Sequence, residues 1–456
     1  MSVFAVALSL CLTAAGPTLR LLPDNPRYFE FRGRPTVLVA SGEHYGAVLN
    51  LDFDFVRYLD ALHARGLNLT RTFSGTYREV PGSFKIKDNT LAPKPGRYAS
   101  PWVKKGDKYD LDTLDDAYFE RLKAFISAAS ERGVVVEYVL FCPFYDEGLW
   151  TVNPMNARNN VNQIGDFNHT EAYTLKHPRL LDRQLDFVRR AVTELNAFDN
   201  VYFEICNEPY FGGVTLDWQR RIAREIASTE KEMPNTHLIA QNIANGSARI
   251  EKPDPLVSVF NFHYASPPIA IAENKALSRP IGFDETGFKG TGDAIYRRQA
   301  WEFLLSGGAV FSHLDYSFTV EHPDGTAKVV DPTPGGGGPE LRRQLSILKS
   351  LIDGLDLTKT RPTAAHLLPP DGSVKPAIGL DDEGNDVHIL YSGFGPRAKF
   401  SIKLRPTTYT IEWIDPATGG VSKSDRIDVR DGRTETVFQS AEYPADVALR
   451  ISATGR

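Results

Sequence analysis

The strongest constraint in this sequence is an alternation that begins near residue 35 and recurs eight times. Short runs rich in Val, Ile and Phe give way to longer, charged, amphipathic stretches, and then to another short apolar run. The runs are PTVLVAS, LNLTRTFS, VVVEYVLF, VYFEIC, HLIAQNI, VSVFNFHY, PIGFDET and GGAVFSHLDY. Between them, FDFVRYLDALHARG places Phe55, Tyr58, Leu59 and Leu62 at helical spacing, and Gly66 supplies a stop. DDAYFERLKAFISAASERG does the same with Phe119, Leu122, Phe125 and Ile126. Eight strands alternating with helices predict an α/β fold, a (β/α)8 barrel, rather than an open sheet. No GxGxxG follows an early strand, so a dinucleotide fold has no support.

The flanks have different textures. The N-terminal stretch MSVFAVALSLCLTAAG carries an apolar run followed by small residues, which reads as a signal segment over residues 1–16 and predicts a secreted or periplasmic protein. LRLLPDNPRYFEFRGRPTVL reads as a hairpin capping the barrel floor. Residues 17–357 then form the catalytic unit. From 358 to 456 the pattern changes to short alternating strands such as VHILYSGF, AKFSIKL and TYTIEWIDPATGG, which predicts a small all-β sandwich. The glycine run in PTPGGGGPE, before the last helix, reads as a flexible loop.

Composition excludes several classes. The net charge of −5 repels nucleic acid and anionic membranes, and no run reaches membrane-spanning length. The three cysteines, Cys11, Cys142 and Cys206, have neither zinc spacing nor a disulfide framework. The ten histidines include no HxH or HExxH, so no metal and no cofactor is expected. No GxSxG elbow is present.

In a barrel of this kind the chemistry sits where the strands end. Those positions are polar here on nearly every strand. Glu43, His44 and Tyr45 follow the first strand; Arg71 is on the second; Tyr145, Asp146 and Trp150 follow the third. Asn207 and Glu208 follow the fourth, His263 and Tyr264 the sixth, Glu285 the seventh, and Asp315 and Tyr316 the eighth. Two carboxylates at opposed strand ends are what glycoside hydrolysis needs. One protonates the leaving oxygen while the other attacks the anomeric carbon. Glu208 and Glu285 lie 77 residues apart, on strands four and seven, and would face each other across the barrel mouth.

CNEPY (206–210), FDETGF (283–288), LNLTRTF (67–73) and NFHYA (261–265) resemble the clan A glycoside hydrolases, the group that holds the family 5 cellulases and mannanases. That resemblance implies Glu208 as acid/base and Glu285 as nucleophile, with Arg71, Asn207, His263 and Tyr264 in support, and retention of anomeric configuration. The C-terminal unit looks like sandwiches of the collagen-binding-domain type appended to some bacterial cellulase-like proteins. The expected function is hydrolysis of β-glycosidic bonds in a plant or microbial oligo- or polysaccharide. The alternatives are a non-catalytic carbohydrate-binding protein on a barrel scaffold, or a transglycosylase. Glu43, His44, Tyr45, Tyr145, Asp146, Trp150, Asp315 and Tyr316 are expected to contact the sugar. The clan usually has Trp at the end of the eighth strand, where this chain reads FSHLDYSF.

Overall fold

The computed structural model describes residues 17–431 and 435–454. The signal-like segment and Cys11 lie outside the described residues.

Eight parallel strands form the central sheet: β1 (Leu38–Gly42), β2 (Leu69–Phe73), β3 (Val135–Val139), β4 (Val201–Glu204), β5 (Ile239–Asn245), β6 (Val259–His263), β7 (Ile281–Thr286) and β8 (Val310–Leu314). They pair in the order β1-β8-β7-β6-β5-β4-β3-β2. Asn68 closes the remaining seam. Its side chain accepts from Val39 N–H at 2.9 Å, and its own N–H donates to Val39 O at 3.2 Å. The sheet is thus a (β/α)8 barrel.

Helices α1 (Phe55–His63), α2 (Asp116–Glu131), α3 (Pro178–Leu195), α4 (Leu216–Glu230), α5 (Ile269–Asn274), α6 (Asp293–Leu305) and α7 (Pro339–Asp353) cover it. Local chemistry sets their starts. Asp54, Asp115 and Thr215 accept from the first free backbone N–H groups of α1, α2 and α4, and Pro opens α3 and α7. The connection from β5 to β6 carries no helix. The strand interiors are buried on both faces, which explains their nearly unbroken apolar runs.

The N-terminal hairpin forms a three-stranded antiparallel sheet from Arg20–Leu21, Phe29–Phe31 and Arg34–Thr36. Arg32 anchors it to Asp199 at 2.6 Å, just ahead of β4, so it covers the end of the barrel away from the site.

Past α7, two antiparallel sheets of six and four strands enclose a second core around Leu390, Phe400, Trp413, Leu449 and Ile451. This all-β unit is fastened to α6. Arg297 donates to both oxygens of buried Asp446, at 3.0 and 2.7 Å, and Tyr391 donates to the same carboxylate at 2.9 Å. Trp301 stacks on Tyr391 at 5.3 Å.

The glycine run corrects a sequence expectation. A Cβ at Gly335 would lie 1.7 Å from Gly287 O, and one at Gly337 would lie 2.0 Å from Asp315 Oδ1. Close packing against the ends of β7 and β8 requires glycine at Gly335 and Gly337, while the positive φ of Gly337 and Gly338 (134° and 131°) requires the backbone freedom only glycine has. Among the described residues, no helix is long and apolar enough to cross a membrane.

Candidate active site

The C-terminal ends of the strands open on a cavity of about 250 Å³ with Glu208 and Glu285 at its floor. One oxygen of each, together with a ring nitrogen of His263, lies within 4.8 Å of the others. The two carboxylates are held differently.

Glu285 leaves the end of β7 and collects positive charge and hydroxyl donors. Tyr264 donates to Oε1 at 2.6 Å, Tyr45 to Oε2 at 2.9 Å, and Arg71 to Oε2 at 3.5 Å. Burial alone would raise its pKa. The charge of His263, its hydrogen bond, Arg71 and Tyr264 outweigh burial and hold the carboxyl well below the usual range. Glu285 is therefore ionised near neutral pH.

Glu208 sits beyond β4 and meets two phenols. Tyr145 donates to Oε2 at 2.7 Å, and Tyr210 Oη lies 3.2 Å from Oε1 while donating to Asn245 Oδ1 at 2.6 Å. Asn207 ties this group to the barrel. Its amide N–H donates to Tyr145 Oη at 2.9 Å, and its carbonyl oxygen accepts from Arg71 at 2.8 Å.

His263 Nδ1 stands between the pair, 3.0 Å from Glu208 Oε1 and 3.3 Å from Glu285 Oε1. Burial opposes its charge, but Glu285, Asp284 and Glu208 together push its pKa well above the ordinary value. Its Nδ1 is shared by both glutamates.

Beneath the pair lies a layer that strand alternation turns inward. Arg71 Nη2 donates to Glu204 at 2.5 Å, and its Nε is 3.4 Å from Asp284 and 3.7 Å from Glu137. Asn261 donates to Glu137 at 2.6 Å and to Glu204 at 2.8 Å. Three buried carboxyls around one guanidinium exceed its charge. Burial, then Glu204 and Asp284, push the Glu137 pKa well up. Burial also raises Glu204, against the pull of Arg71, to about 7. These three groups bring ligand atoms within 4.8 Å of one another, as a metal site would. A cation placed there would compete directly with Arg71 for the same oxygens.

Three residues on the two carboxylates have left-handed backbones: Tyr45 (φ 58°), Glu208 (φ 35°) and Tyr264 (φ 51°). Such φ values in residues of this size store roughly 1–3 kcal/mol each and cluster at working sites.

No protein-family model and no curated protein matches the sequence. Solved structures do match. A glycoside hydrolase family 5 protein from Bacteroides vulgatus ATCC 8482 aligns with a TM-score of 0.64 at 15% identity, over 96% of this chain and 94% of that one. A second protein from the same organism gives 0.66 at 15% identity, over 96% and 82%. A structure described as a glycoside hydrolase gives 0.62 at 15% identity, over 96% and 97%. What they share with this chain is the fold.

The structure sorts the expected sugar contacts. His44, Tyr45 and Tyr145 line the cavity, but the hydroxyls of both tyrosines are bonded to the glutamates. Glu43 does not face it. Its carboxylate is buried and accepts from Gly46 N–H, Ala47 N–H and Thr90 Oγ1 at 2.8, 2.9 and 2.6 Å. Trp150 is also buried, donating to Phe167 O at 3.1 Å within the loop core. Asp315 is buried beneath the eighth strand end, paired with Arg342 and Ser41. Asp146 is exposed and caps the short helix Glu147–Thr151. Tyr316 backs the wall, with its ring 6.0 Å from that of His44. Cys142 and Cys206 are buried free thiols.

Sequence reasoning missed Glu79, Phe84, Tyr210 and Phe211 around the cavity, and Glu137 and Glu204 below it. The last two had a signal: each is a lone carboxylate inside an apolar strand run.

Proposed function

We propose that this protein is a glycoside hydrolase that cleaves β-glycosidic bonds by double displacement, with retention. The observation that carries the reading is the pair itself: Glu285 and Glu208 line one cavity with oxygens within 4.8 Å of each other. Retaining enzymes hold their carboxyl groups about 5–5.5 Å apart, whereas inverting ones leave about 6.5–9.5 Å for a water.

In the first step a Glu285 oxygen bonds to the anomeric carbon as the bond to the leaving oxygen breaks. Glu208 gives that oxygen its proton. In the second step water attacks the same carbon, Glu208 takes a proton from it, and Glu285 departs as carboxylate. Arg71, Tyr45 and Tyr264 keep Glu285 charged between turnovers and receive the charge when it returns. Asn207 has a second lone pair on its carbonyl oxygen for a sugar hydroxyl.

Replacing Glu285 by Ala should lower turnover by several orders of magnitude. Azide should restore turnover to Glu208→Ala on an activated aryl glycoside, giving the β-glycosyl azide that retention requires. Undiminished activity in either variant would overturn the assignment.

A further inference from the structure

The cavity is asymmetric about the two glutamates. On the Glu208 side Phe211 lines it and Tyr210 adjoins; they are 43% and 38% exposed, respectively, and pack ring to ring at 5.1 Å. The segment 79–91 supplies Glu79, Phe84 and Leu91 to the lining, with Glu79 next to His44 and the Phe84 ring 5.2 Å from that of Tyr145.

That segment is built in rather than draped. Glu79 N–H donates to Leu91 O at 2.8 Å, closing it at its base. Thr90 bonds to buried Glu43, and Asn50 donates to Thr90 O at 2.9 Å. The backbone of Gly46 passes so near that a Cβ there would lie 2.2 Å from Thr90 O. The wall is therefore fixed to the loop after β1 by buried hydrogen bonds and close backbone packing.

The wall presents polar groups with capacity to spare. His44 stacks on Tyr45 at 5.5 Å, which places it beside Glu285. Its Nε2 lies 3.4 Å from Glu79 Oε1, while buried Nδ1 has no hydrogen-bond partner among the described residues. Among the described residues, Glu79 Oε1 is held only by this contact and by Tyr77 Oη, also at 3.4 Å, whereas Asn89 binds Oε2 closely. A buried carboxylate so loosely satisfied has lone pairs for the hydroxyls of a bound sugar. Among the described residues that line the cavity there is no Lys or Arg, while Glu79, Glu208 and Glu285 all do. Such a lining offers an anionic sugar no Lys or Arg to pair with.

We propose that the enzyme works from the non-reducing chain end, with Glu79 and His44 gripping the hydroxyls of one terminal, uncharged sugar against the 79–91 wall. The inference rests on the glycosidase reading, which sets the glycone on the Glu285 side. A cavity of about 250 Å³ falls below the roughly 300–1,000 Å³ of sites for larger ligands, and suits one ring rather than a threaded chain.

The test uses neutral β-linked gluco-, manno-, galacto- and xylo-oligosaccharides labelled at the reducing end, alongside activated 2-fluoro glycosides of the same sugars. The expected result is loss of one unlabelled residue at a time on at least one series, and no cleavage when its terminal sugar is replaced by a uronic acid. Glu79→Gln, with its melting temperature checked against wild type, should lower kcat/KM on that series roughly 10- to 100-fold, the loss of one charge-assisted hydrogen bond. Internal cuts, or a Glu79→Gln variant with wild-type kcat/KM, would overturn the inference and leave the glycosidase reading standing. If no series is cleaved and no fluoro glycoside labels Glu285, both readings fall together.

Discussion

Arg71 and Glu204 meet at 2.5 Å with neither side chain exposed to solvent. The same guanidinium faces Glu137, Asp284 and Glu285. One cation therefore compensates the interior of the barrel as well as the carboxylate proposed to attack the sugar. Arg71→Met should destabilise the protein by about 3–5 kcal/mol, because it leaves buried carboxylates without their partner. Urea denaturation at neutral pH measures this, and a loss under 1 kcal/mol would show that the layer is neutralised by protons instead.

Glu204 should leave a mark on stability against pH. Burial raises its carboxyl from 4.5 to about 7, against Arg71. Between those values the folded chain keeps a proton that the unfolded chain has already lost. The contribution is thus complete below the ordinary carboxylate range and is lost as pH rises toward 7. Wild type should lose about 3 kcal/mol more than Glu204→Gln between pH 4.5 and 7. Equal slopes in paired urea titrations would contradict the shift.

Tyr45→Phe and Tyr264→Phe each remove one hydroxyl donor from Glu285. Each should lower kcat/KM on an activated aryl glycoside by about 10-fold, the worth of one hydrogen bond to a charged group. Because both phenols act on one carboxylate, the double variant should depart from the product of the two effects. Steady-state kinetics on the four proteins decides the matter.

Asp446→Ala should strip the buried Arg297 of its partner and Tyr391 of its acceptor, for about 3–5 kcal/mol. Calorimetry should show the all-β unit and the barrel separating into two transitions where wild type gives one. A single unshifted transition would mean that the remaining ties, among them the Trp301–Tyr391 stack and Arg343 donating to Ala417 O at 2.6 Å, suffice to couple them.

The barrel was legible because its strands are buried on both faces and its helices on one, so two hydrophobic periods alternate along the chain. Glu208 and Glu285 were legible because strand ends point to one mouth. The sugar wall was not. Glu79 and Phe84 sit in an irregular excursion after β2, and nothing in its local pattern says which way it folds. Glu43 misled for the opposite reason: it stands at a strand end, yet backbone N–H groups nearby claimed it first. Trp150 looked like a stacking surface until its own loop buried it. Position along a strand is written in periodicity, whereas the choice between a ligand and a neighbouring amide is made in three dimensions.

The left-handed backbones at Tyr45, Glu208 and Tyr264 set function and durability against each other. Gly and Asn are the residues that adopt this conformation with least penalty, yet each would discard a phenol or carboxylate that the proposed chemistry needs. A directed-evolution campaign scored on heat resistance alone should therefore drift toward inactive sequences at these three positions. One scored on turnover should hold them and collect its stabilising changes elsewhere.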